Sequence, residues 1–318
     1  MTQRSILAVA GLLAAAVVTA ALGGPAHAAP EGTLTVAVAT FGNERWLPNL
    51  YVGAEDVVLK PMYENLLTRD AKGDLAPALA ERWQVLEGGR TWKFHLRKGV
   101  QFHGGKGELT AEDVRFTFAT LAKEGSANSL APEFRLIKSV EVEGPYTLSV
   151  RFDKPSVVFG NKVNQGLFAS TSFIHSKRYT EAAGEAGAER HPIGTGAWKF
   201  VEHVRGDRIV YEAVDHHWRA TPQWKRLVIL KVPEPATRMA MLRAGSVDVI
   251  EVGGEYVDEL KKVGVRTLTM PNVAWLYIIL GGQWPAKPTY DPKVPWAQPD
   301  AEKARKVRAL LPSVVLML

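Results

Sequence analysis

The residues of this sequence that could do chemistry are its eight histidines and a few glycine-rich stretches, and cysteine is absent. Without a thiol the chain cannot use cysteine catalysis, disulfide cross-links, Cys-zinc sites or Fe–S clusters. His216 and His217 are neighbours, and adjacent side chains point to opposite faces of a strand or diverge around a helix. We therefore expect structural histidines, and His95 and His103 are too isolated to suggest a site. No metal or other cofactor is expected.

The glycine-rich stretches fail the spacing tests for nucleotide-binding loops. Gly104–Gly107 contains a lysine but lacks the earlier glycine and the following Ser or Thr of a phosphate-binding loop. Gly194-Thr195-Gly196 lacks the third glycine of a dinucleotide-binding turn, and no Gly-x-Ser-x-Gly elbow is present. Glu112 and Asp113 are explained by a role at a helix N-terminus. Since no catalytic constellation is left, we do not expect an enzyme.

Nine tryptophans are the unusual positive feature of the composition. Trp83, Trp92 and Trp198 have apolar neighbours in the sequence and are expected in the core. Trp46 and Trp275 follow strand-like segments, where loops commonly present side chains to a cleft. Two interpretations of this pair stay open, namely apolar walls of a binding cleft and ordinary packing.

Strand patterns dominate the segments that would position such a cleft. Alternating apolar residues predict strands over Leu34–Val38 and Trp92–Leu96, and hairpins over 140–152 and 198–213. The glycines, asparagine and proline of 40–50 predict an irregular loop after the first strand. The middle of the chain is therefore expected to be rich in hairpins.

Helices are expected between these strands. The residues Thr110–Asp113 form a capping box, which predicts a helix that Gly125 ends. The stretch 180–190 is rich in Ala, Glu and Gly, and is expected to be a helix or a linker.

A β-α-β unit is predicted near the middle of the second half. Leu227–Val232 is a continuous apolar run apart from its lysine, which is typical of a strand buried on both faces. Thr237–Ala244 predicts a helix closed by Gly245, and Val247–Ile250 predicts a second short strand. The two strands of such a unit run parallel, so this half should contain parallel sheet.

The first 28 residues are expected to be a signal peptide. Arg4 is the only charged residue among the first thirty, 6–22 is almost wholly apolar, and the sequence ending at Ala28 provides an Ala-x-Ala cleavage site. A transmembrane anchor is the alternative, although the apolar run is slightly shorter than the roughly 20 residues that span a bilayer. Glycine and proline after the run favour cleavage. Since cysteine is absent, a lipoprotein anchor is not expected, and we predict export to the periplasm.

Composition and charge are those of an ordinary folded protein. The 318 residues are 46% hydrophobic and 23% charged, and a length of roughly 150 residues per domain predicts two domains. The net charge of +6 comes from 39 basic against 33 acidic residues without a polybasic block. Nucleic-acid binding is therefore not expected, because it would need a basic stripe with interleaved aromatic residues or a known module.

Several sequence blocks occur in an order that identifies a family. They are Leu79–Trp83 with Gly89–His103, Leu109–Val114, Gly194–Phe200, His217–Trp218 and Arg238–Asp248. This pattern, which runs from about Gly32 to Arg308, resembles the family 5 extracellular solute-binding proteins, the peptide-, dipeptide- and nickel-binding components of ABC transporters. The first two blocks together are highly specific.

The resemblance implies an α/β fold of the type II periplasmic binding protein class, with an extra hairpin-rich α+β subdomain on its first lobe. We expect lobe one at 32–69 and 190–282, the inserted subdomain at 70–189, and the start of lobe two at 283–318. This division requires the first strand of the chain to pair beside the strands of the 227–250 segment in an open sheet. The second lobe would then be mostly missing.

The carboxyl-terminal end departs from the family pattern. A helix is expected after Arg308, but Pro312 would break it, and the chain ends soon afterwards. We expect a truncation or a frameshift near Arg308. On that expectation the chain alone would bind peptides weakly or not at all.

The resemblance also implies a function, which is capture without chemistry. An extended ligand lies in a cleft and a hinge closes the lobes over it. We expect a monomeric, periplasmic substrate-binding component of an ABC transporter, which captures peptides or a similar small solute and delivers them to membrane permease subunits. The alternatives are a secreted binding or sensor protein of the same fold for a nickel chelate, an opine or a sugar, and a non-functional truncated product.

Ligands of open α/β sheets lie beyond the carboxyl ends of the strands. Residues that follow the predicted strands are therefore the candidate ligand-binding residues. They are Thr40, Phe41, Asn43, Trp46, Glu251, Val252, Gly253, Asn272 and Trp275.

Overall fold

A computed structural model describes residues 29–268 except 51, 53–54, 71 and 166–171. The chain divides into two compact units, Met1–Gly253 and Gly254–Leu318. The predicted signal peptide, Asn272, Trp275 and the segment 283–318 lie outside the described residues.

Strands outnumber helices in the described residues. The strands are β1 (Thr33–Val38), β2 (Leu67–Arg69), β3 (Leu75–Pro77), β4 (Ala80–Leu86), β5 (Thr91–Leu96), β6 (Ile137–Gly144), β7 (Thr147–Phe152), β8 (Trp198–Val204), β9 (Arg208–Ala213), β10 (Arg226–Lys231) and β11 (Val249–Ile250). The α-helices are α1 (Asp56–Leu59), α2 (Ala111–Ala122), α3 (Ala131–Phe134), α4 (Lys177–Arg190), α5 (Pro235–Arg243) and α6 (Val257–Lys262). Short 3₁₀ turns occur at Glu87–Gly89, His103–Gly105, Phe159–Asn161 and Gly254–Tyr256.

A five-stranded sheet has the order β11-β1-β10-β9-β8. Strand β1 is parallel to both of its neighbours, and Val36 is opposite Ile229 on β10 and Val249 on β11. Strands β10, β9 and β8 are antiparallel, so the hairpin predicted over 198–213 is confirmed. The expected pairing of the first strand with the 227–250 segment is also confirmed. Strand β1 lies between the two strands of the β-α-β unit.

A four-stranded antiparallel sheet has the order β4-β5-β7-β6, and β2 and β3 form a separate pair. In β5 the side chains of Trp92, Phe94 and Leu96 are buried, while Lys93 and His95 between them are half-buried. This alternation confirms the strand predicted over Trp92–Leu96. The hairpin expected over 140–152 is β6 and β7.

The capping box at the start of α2 is confirmed. One carboxylate oxygen of Asp113 accepts the backbone N–H of Thr110 at 2.8 Å and its hydroxyl at 3.0 Å. Its other oxygen accepts the N–H of Lys177, the first residue of α4, at 2.9 Å. Burial raises the pKa of Asp113, and these hydrogen bonds oppose that rise only in part. One carboxyl group therefore fixes the starts of two helices. The stretch 180–190 lies in α4.

Apolar side chains form two separate cores. One core surrounds Phe94, Phe118 and Phe159 under the four-stranded sheet. The other joins the five-stranded sheet, through Ile209 and Tyr211, to the segment that contains α1 and the residues after it. Among the described residues, no helix is both long and apolar enough to cross a membrane.

Candidate functional site

Three parallel strands end at one edge of the five-stranded sheet. Because β1, β10 and β11 run in the same direction, their last residues Val38, Lys231 and Ile250 lie toward the same side. The chain leaves this side in three connections, 39–55, 232–234 and 251–253. We call this side the carboxyl edge, and it is where open α/β sheets bind ligands.

Two of the predicted segments meet at the carboxyl edge. The N–H of Glu251 donates to the carbonyl of Ala37 at 3.0 Å, and the carboxylate of Glu251 accepts the N–H of Ala39 at 3.1 Å. Thr40, Glu251 and Gly253 are exposed. The structure therefore brings Thr40 and the segment from Glu251 to Gly253 close together on an accessible surface.

Arg238 supports this edge and was missed as a functional candidate. Its guanidinium is almost completely buried, and its Nε donates to the carbonyl of Glu251 at 2.6 Å. Its Nη1 donates to the carbonyls of Val232 and Pro233, the latter at 2.8 Å. The planar guanidinium thus holds the connections after β10 and β11 to one another. The sequence feature that could have identified Arg238 is its place at the start of the Arg238–Asp248 block.

Asn43 organises the loop after β1 rather than projecting freely from it. Its N–H donates to Glu55 at 2.8 Å, and its side-chain amide donates to the carbonyl of Leu50 at 2.8 Å. Its side-chain oxygen accepts the N–H of Arg45 at 3.0 Å. Asn43 is half-buried. Its backbone N–H and its side-chain amide group already form three hydrogen bonds within the loop.

Glu189, at the end of α4, fastens the middle of the same loop. Its carboxylate accepts the backbone N–H groups of Trp46 at 3.2 Å and Leu47 at 3.1 Å, and the Nε of Arg45 at 2.6 Å. The loop and Glu189 are more than 140 residues apart in the sequence. No periodic pattern in the sequence signals such a contact.

Glu44 fixes the loop to the β8–β9 hairpin. Its backbone has a φ of 58°, in the left-handed region that non-glycine residues rarely adopt. Its carboxylate accepts Nε2 of His203 at 2.8 Å and the N–H of Gly206 at 3.1 Å, and lies 3.4 Å from Nζ of Lys231. Burial favours a higher pKa for Glu44, but these hydrogen bonds outweigh burial and hold its pKa below the usual value.

Two predicted site residues, Phe41 and Trp46, are not exposed. Phe41 is 0% and Trp46 3% exposed, and both belong to the core beside the five-stranded sheet. The ring of Trp46 packs edge-on against His203 at 5.1 Å and near Phe200 at 5.9 Å. The expectation that Trp46 forms an open apolar wall is therefore wrong for this structure, because the loop folds inward over the sheet. The packing alternative describes it better.

The other predicted site residues have mixed positions. Val252 is half-buried between the exposed Glu251 and Gly253. Asn272 and Trp275 lie outside the described residues. Ligand contact by Thr40, Asn43, Glu251, Val252 and Gly253 stays a prediction.

His103 is a buried structural histidine. Its Nε2 lies 2.8 Å from the carbonyl of Gly196, and its Nδ1 accepts the N–H of Gly194 at 3.3 Å. A neutral ring with the proton on Nε2 satisfies both bonds. Burial lowers the pKa of His103 to about 4, which favours the same neutral form. The Gly194-Thr195-Gly196 stretch is thus a packing and hydrogen-bonding element.

His217 is also held in a structural network, around the buried carboxylate of Glu64. The two oxygens of Glu64 accept the hydroxyl of Thr195 at 3.0 Å, Nε1 of Trp218 at 2.9 Å and Nη2 of Arg219 at 2.8 Å. Nε2 of His217 lies 3.5 Å from the same carboxylate. In the described part of the chain, no three His, Asp or Glu side chains are arranged to hold a metal ion.

Three cavities in the described residues lie away from the carboxyl edge. Two, of about 270 and 440 Å³, are both lined by Gly196 and His217. A third, of about 470 Å³, lies at Gly32 and Thr33, where β1 begins. The carboxyl edge is an open surface rather than one of these cavities.

Comparison with known proteins places this chain in a family. Residues 74–294 match the family model described as "Bacterial extracellular solute-binding proteins, family 5 Middle". Heme-binding protein A of Haemophilus influenzae is 32% identical over 58% of this chain and 37% of its own length. The dipeptide-binding protein of Escherichia coli is 30% identical over 65% of this chain and 42% of its own length.

A solved structure gives the same result. NikZ from Campylobacter jejuni in complex with Ni(L-His) superposes with a TM-score of 0.65 and 25% identity, over 74% of this chain and 46% of that chain. This likeness confirms the expected periplasmic binding protein fold. The chain spans less than half the length of these relatives, between 37% and 46%. Since the family model covers most of the chain, residues 74–294 of 318, the chain belongs to the family 5 bacterial extracellular solute-binding proteins.

Proposed function

We propose that the protein is the periplasmic substrate-binding component of an ABC transporter, and that it captures peptides or a similar small solute. Membership of the solute-binding family is the observation that supports this most strongly. Relatives named for dipeptide and oligopeptide binding favour peptides. Residues 1–28 act as the export signal in this proposal.

The carboxyl edge is the part of the described structure that contacts the solute in this proposal. Thr40 provides a hydroxyl, Glu251 a carboxylate, and the backbone near Gly253 further hydrogen-bonding groups at an exposed surface. A ligand with ammonium or N–H groups suits the Glu251 carboxylate. No bond of the solute is made or broken, and the membrane permease subunits receive it from the monomeric protein.

A non-peptide solute is the second candidate. The relative with 32% identity is named for heme binding, and the superposed NikZ structure holds a nickel–histidine complex. The same fold would then serve a nickel chelate, or another small solute such as an opine or a sugar, in a transport or sensor role.

The domain boundaries form part of the proposal. Lobe one comprises 32–69 and 190–282, the inserted subdomain 70–189, and lobe two begins at 283. The strand arrangement supports this division, because the five-stranded sheet uses strands from the first two segments and the four-stranded sheet uses strands from the third.

Saturation-transfer NMR with a panel of solutes tests the proposed class. The panel contains di- to hexapeptides, nickel–histidine, an opine and a sugar, each at millimolar concentration because the carboxyl edge is open. We expect saturation of peptide protons and peptides that stay intact after incubation. Saturation of the sugar or opine alone would overturn the peptide assignment, and cleaved peptides would overturn the proposal of binding without chemistry.

A further inference from the structure

Exposed aliphatic side chains gather at one end of the four-stranded sheet. Five of them are each at least 41% exposed, and we call them together the aliphatic tip. The aliphatic tip consists of Val85, Leu86, Leu136, Val157 and Val158. Single exposed aliphatic residues are ordinary on protein surfaces, but a group of them marks a contact surface.

The strand register places these residues at the same end of the sheet. Strand β4 ends at Leu86, which is opposite Thr91 at the start of β5. Strand β7 ends at Phe152, which is opposite Ile137 at the start of β6. Leu136 immediately precedes β6, and Val157 and Val158 follow β7 by a few residues. All four strands therefore begin or end at the aliphatic tip.

Contacts between the connections make the aliphatic tip continuous. Ser156 donates its N–H to the carbonyl of Gly89 in the β4–β5 turn at 2.8 Å and accepts Nε1 of Trp92 at 2.8 Å. Val157 lies so close to Gly89 that a Cβ at Gly89 would be 2.7 Å from its Cγ1. Lys138 on β6 pairs with Asp153 at 2.8 Å, which ties the Leu136 side to the same segment.

The rim of the aliphatic tip has a surplus of positive charge. Each bordering acid is paired with a cation, in the pairs Glu87–Arg151, Glu141–Arg151, Glu133–Lys162 and Asp153–Lys138. Arg135 donates to the carbonyls of Ala122 and Lys123. Arg90 and Lys154 are exposed and pair with no acid among the described residues.

We propose that the aliphatic tip docks on an anionic phospholipid bilayer. Its short aliphatic side chains enter the interfacial region, and Arg90 and Lys154 face the lipid phosphates. Apolar burial together with attraction to anionic lipid is the combination that holds proteins reversibly at a membrane surface. A contact between two copies through their tips would bring the two positive rims together, so the charge pattern favours lipid over a second copy. This role goes beyond solute capture and does not depend on it.

Single-cysteine labelling tests this proposal directly, because the chain has no natural cysteine. A solvatochromic dye on the Val157→Cys variant reports the environment of the aliphatic tip alone. Dye on the Val201→Cys variant is the matched control, since Val201 is an exposed valine on the edge strand β8 of the other sheet. The vesicles contain phosphatidylcholine with or without phosphatidylglycerol.

With the phosphatidylglycerol vesicles we expect a blue shift of the dye emission at position 157 and none at position 201. The shift at position 157 should disappear in 0.5 M salt, because salt screens the attraction between exposed charges. Adding Arg90→Gln and Lys154→Gln to the labelled variant should weaken vesicle binding about tenfold or more. Circular dichroism checks that each variant folds. The proposal is overturned if position 157 responds equally to vesicles of phosphatidylcholine alone, if it does not respond to either, or if it shifts without vesicles as the protein concentration rises.

Discussion

Buried or half-buried carboxylates shape the candidate site at the scale of single residues. Glu55 and Glu189 accept backbone N–H groups of the loop after β1. Glu44 lies within that loop and accepts the N–H of Gly206 in the β8–β9 turn. Hydrogen bonds to an ionised acceptor are roughly twice as strong as neutral ones. These acids therefore hold the loop that carries Thr40 in one conformation, and catalysis is not needed to explain them.

A pH dependence of stability follows from two buried histidines. Burial lowers the pKa of His103 to about 4 and that of His175 to about 3, from 6.5. Between pH 6.5 and about 4 the unfolded chain binds more protons than the folded one, so stability falls as the pH falls. Each histidine contributes up to about 1.4 kcal/mol per pH unit in this window. We expect the urea midpoint to decrease from pH 7 to pH 5.

The His103→Gln variant isolates one part of that slope. Gln can still donate to the Gly196 carbonyl but does not titrate, so the decrease between pH 7 and pH 5 should become smaller. His216 is exposed, and His216→Gln serves as the control with an unchanged slope. An identical slope in His103→Gln and the unaltered protein would show that folding does not lower the pKa of His103.

Gly194 has a steric requirement that a single methyl group tests. A Cβ at this position would lie 2.1 Å from the carbonyl oxygen of Met62 and 2.7 Å from the ring of Tyr63. We expect Gly194→Ala to lower the free energy of unfolding by about 3 kcal/mol or more. Gly144, which has nothing within 4 Å of the same position, is the control, and Gly144→Ala should cost far less. Equal effects of the two substitutions in urea unfolding would refute this packing account.

At the scale of elements, the sequence predicted those segments in which local patterning and tertiary structure agree. The strands β1 and β5, the hairpins β6–β7 and β8–β9, and the capping box of α2 are all confirmed. Each depends on residues within about a dozen positions of one another. The pairing of β1 beside β10 and β11 was also predicted, because the resemblance to the family implies it, and it is confirmed.

The position of the loop after β1 could not be predicted in the same way. Its anchors Glu189 and His203 lie 142 to 159 residues away from their partners in the sequence, and they act through a few hydrogen bonds. Such contacts leave no periodicity in the sequence. The same reason explains the incorrect expectation for Trp46, whose indole is covered by the β8 residues Phe200 and His203.

Glu189→Ala tests whether α4 holds this loop. Removing the carboxylate leaves the N–H groups of Trp46 and Leu47 without their acceptor, so their hydrogen exchange should become about tenfold faster or more. Glu185→Ala on the same helix is the matched control, because Glu185 is exposed and pairs only with Lys123 at the surface. Hydrogen-exchange mass spectrometry of the 43–50 region measures both. Unchanged exchange in Glu189→Ala would mean that other contacts hold the loop.

At the scale of the whole molecule, family membership and the open carboxyl edge support the same function. The sequence motifs predicted the family, and the family model and the NikZ superposition confirm it. The site was predicted only as a general location, because the strand ends are readable from the sequence. The role of Arg238 was not predicted. Arg238 joins two of the three connections at that edge by donating to backbone carbonyls, and such main-chain partners leave no signal in the sequence.

Amide chemical-shift mapping tests the central claim, that solute contacts the carboxyl edge, most directly. The isotope-labelled chain is titrated with the peptide that gives the strongest saturation transfer. The account predicts shifts concentrated at the amides of Ala39 to Asn43 and of Glu251 to Gly253, the connections that follow β1 and β11. Shifts concentrated instead around the cavities beside His217, with these two connections unchanged, would contradict it.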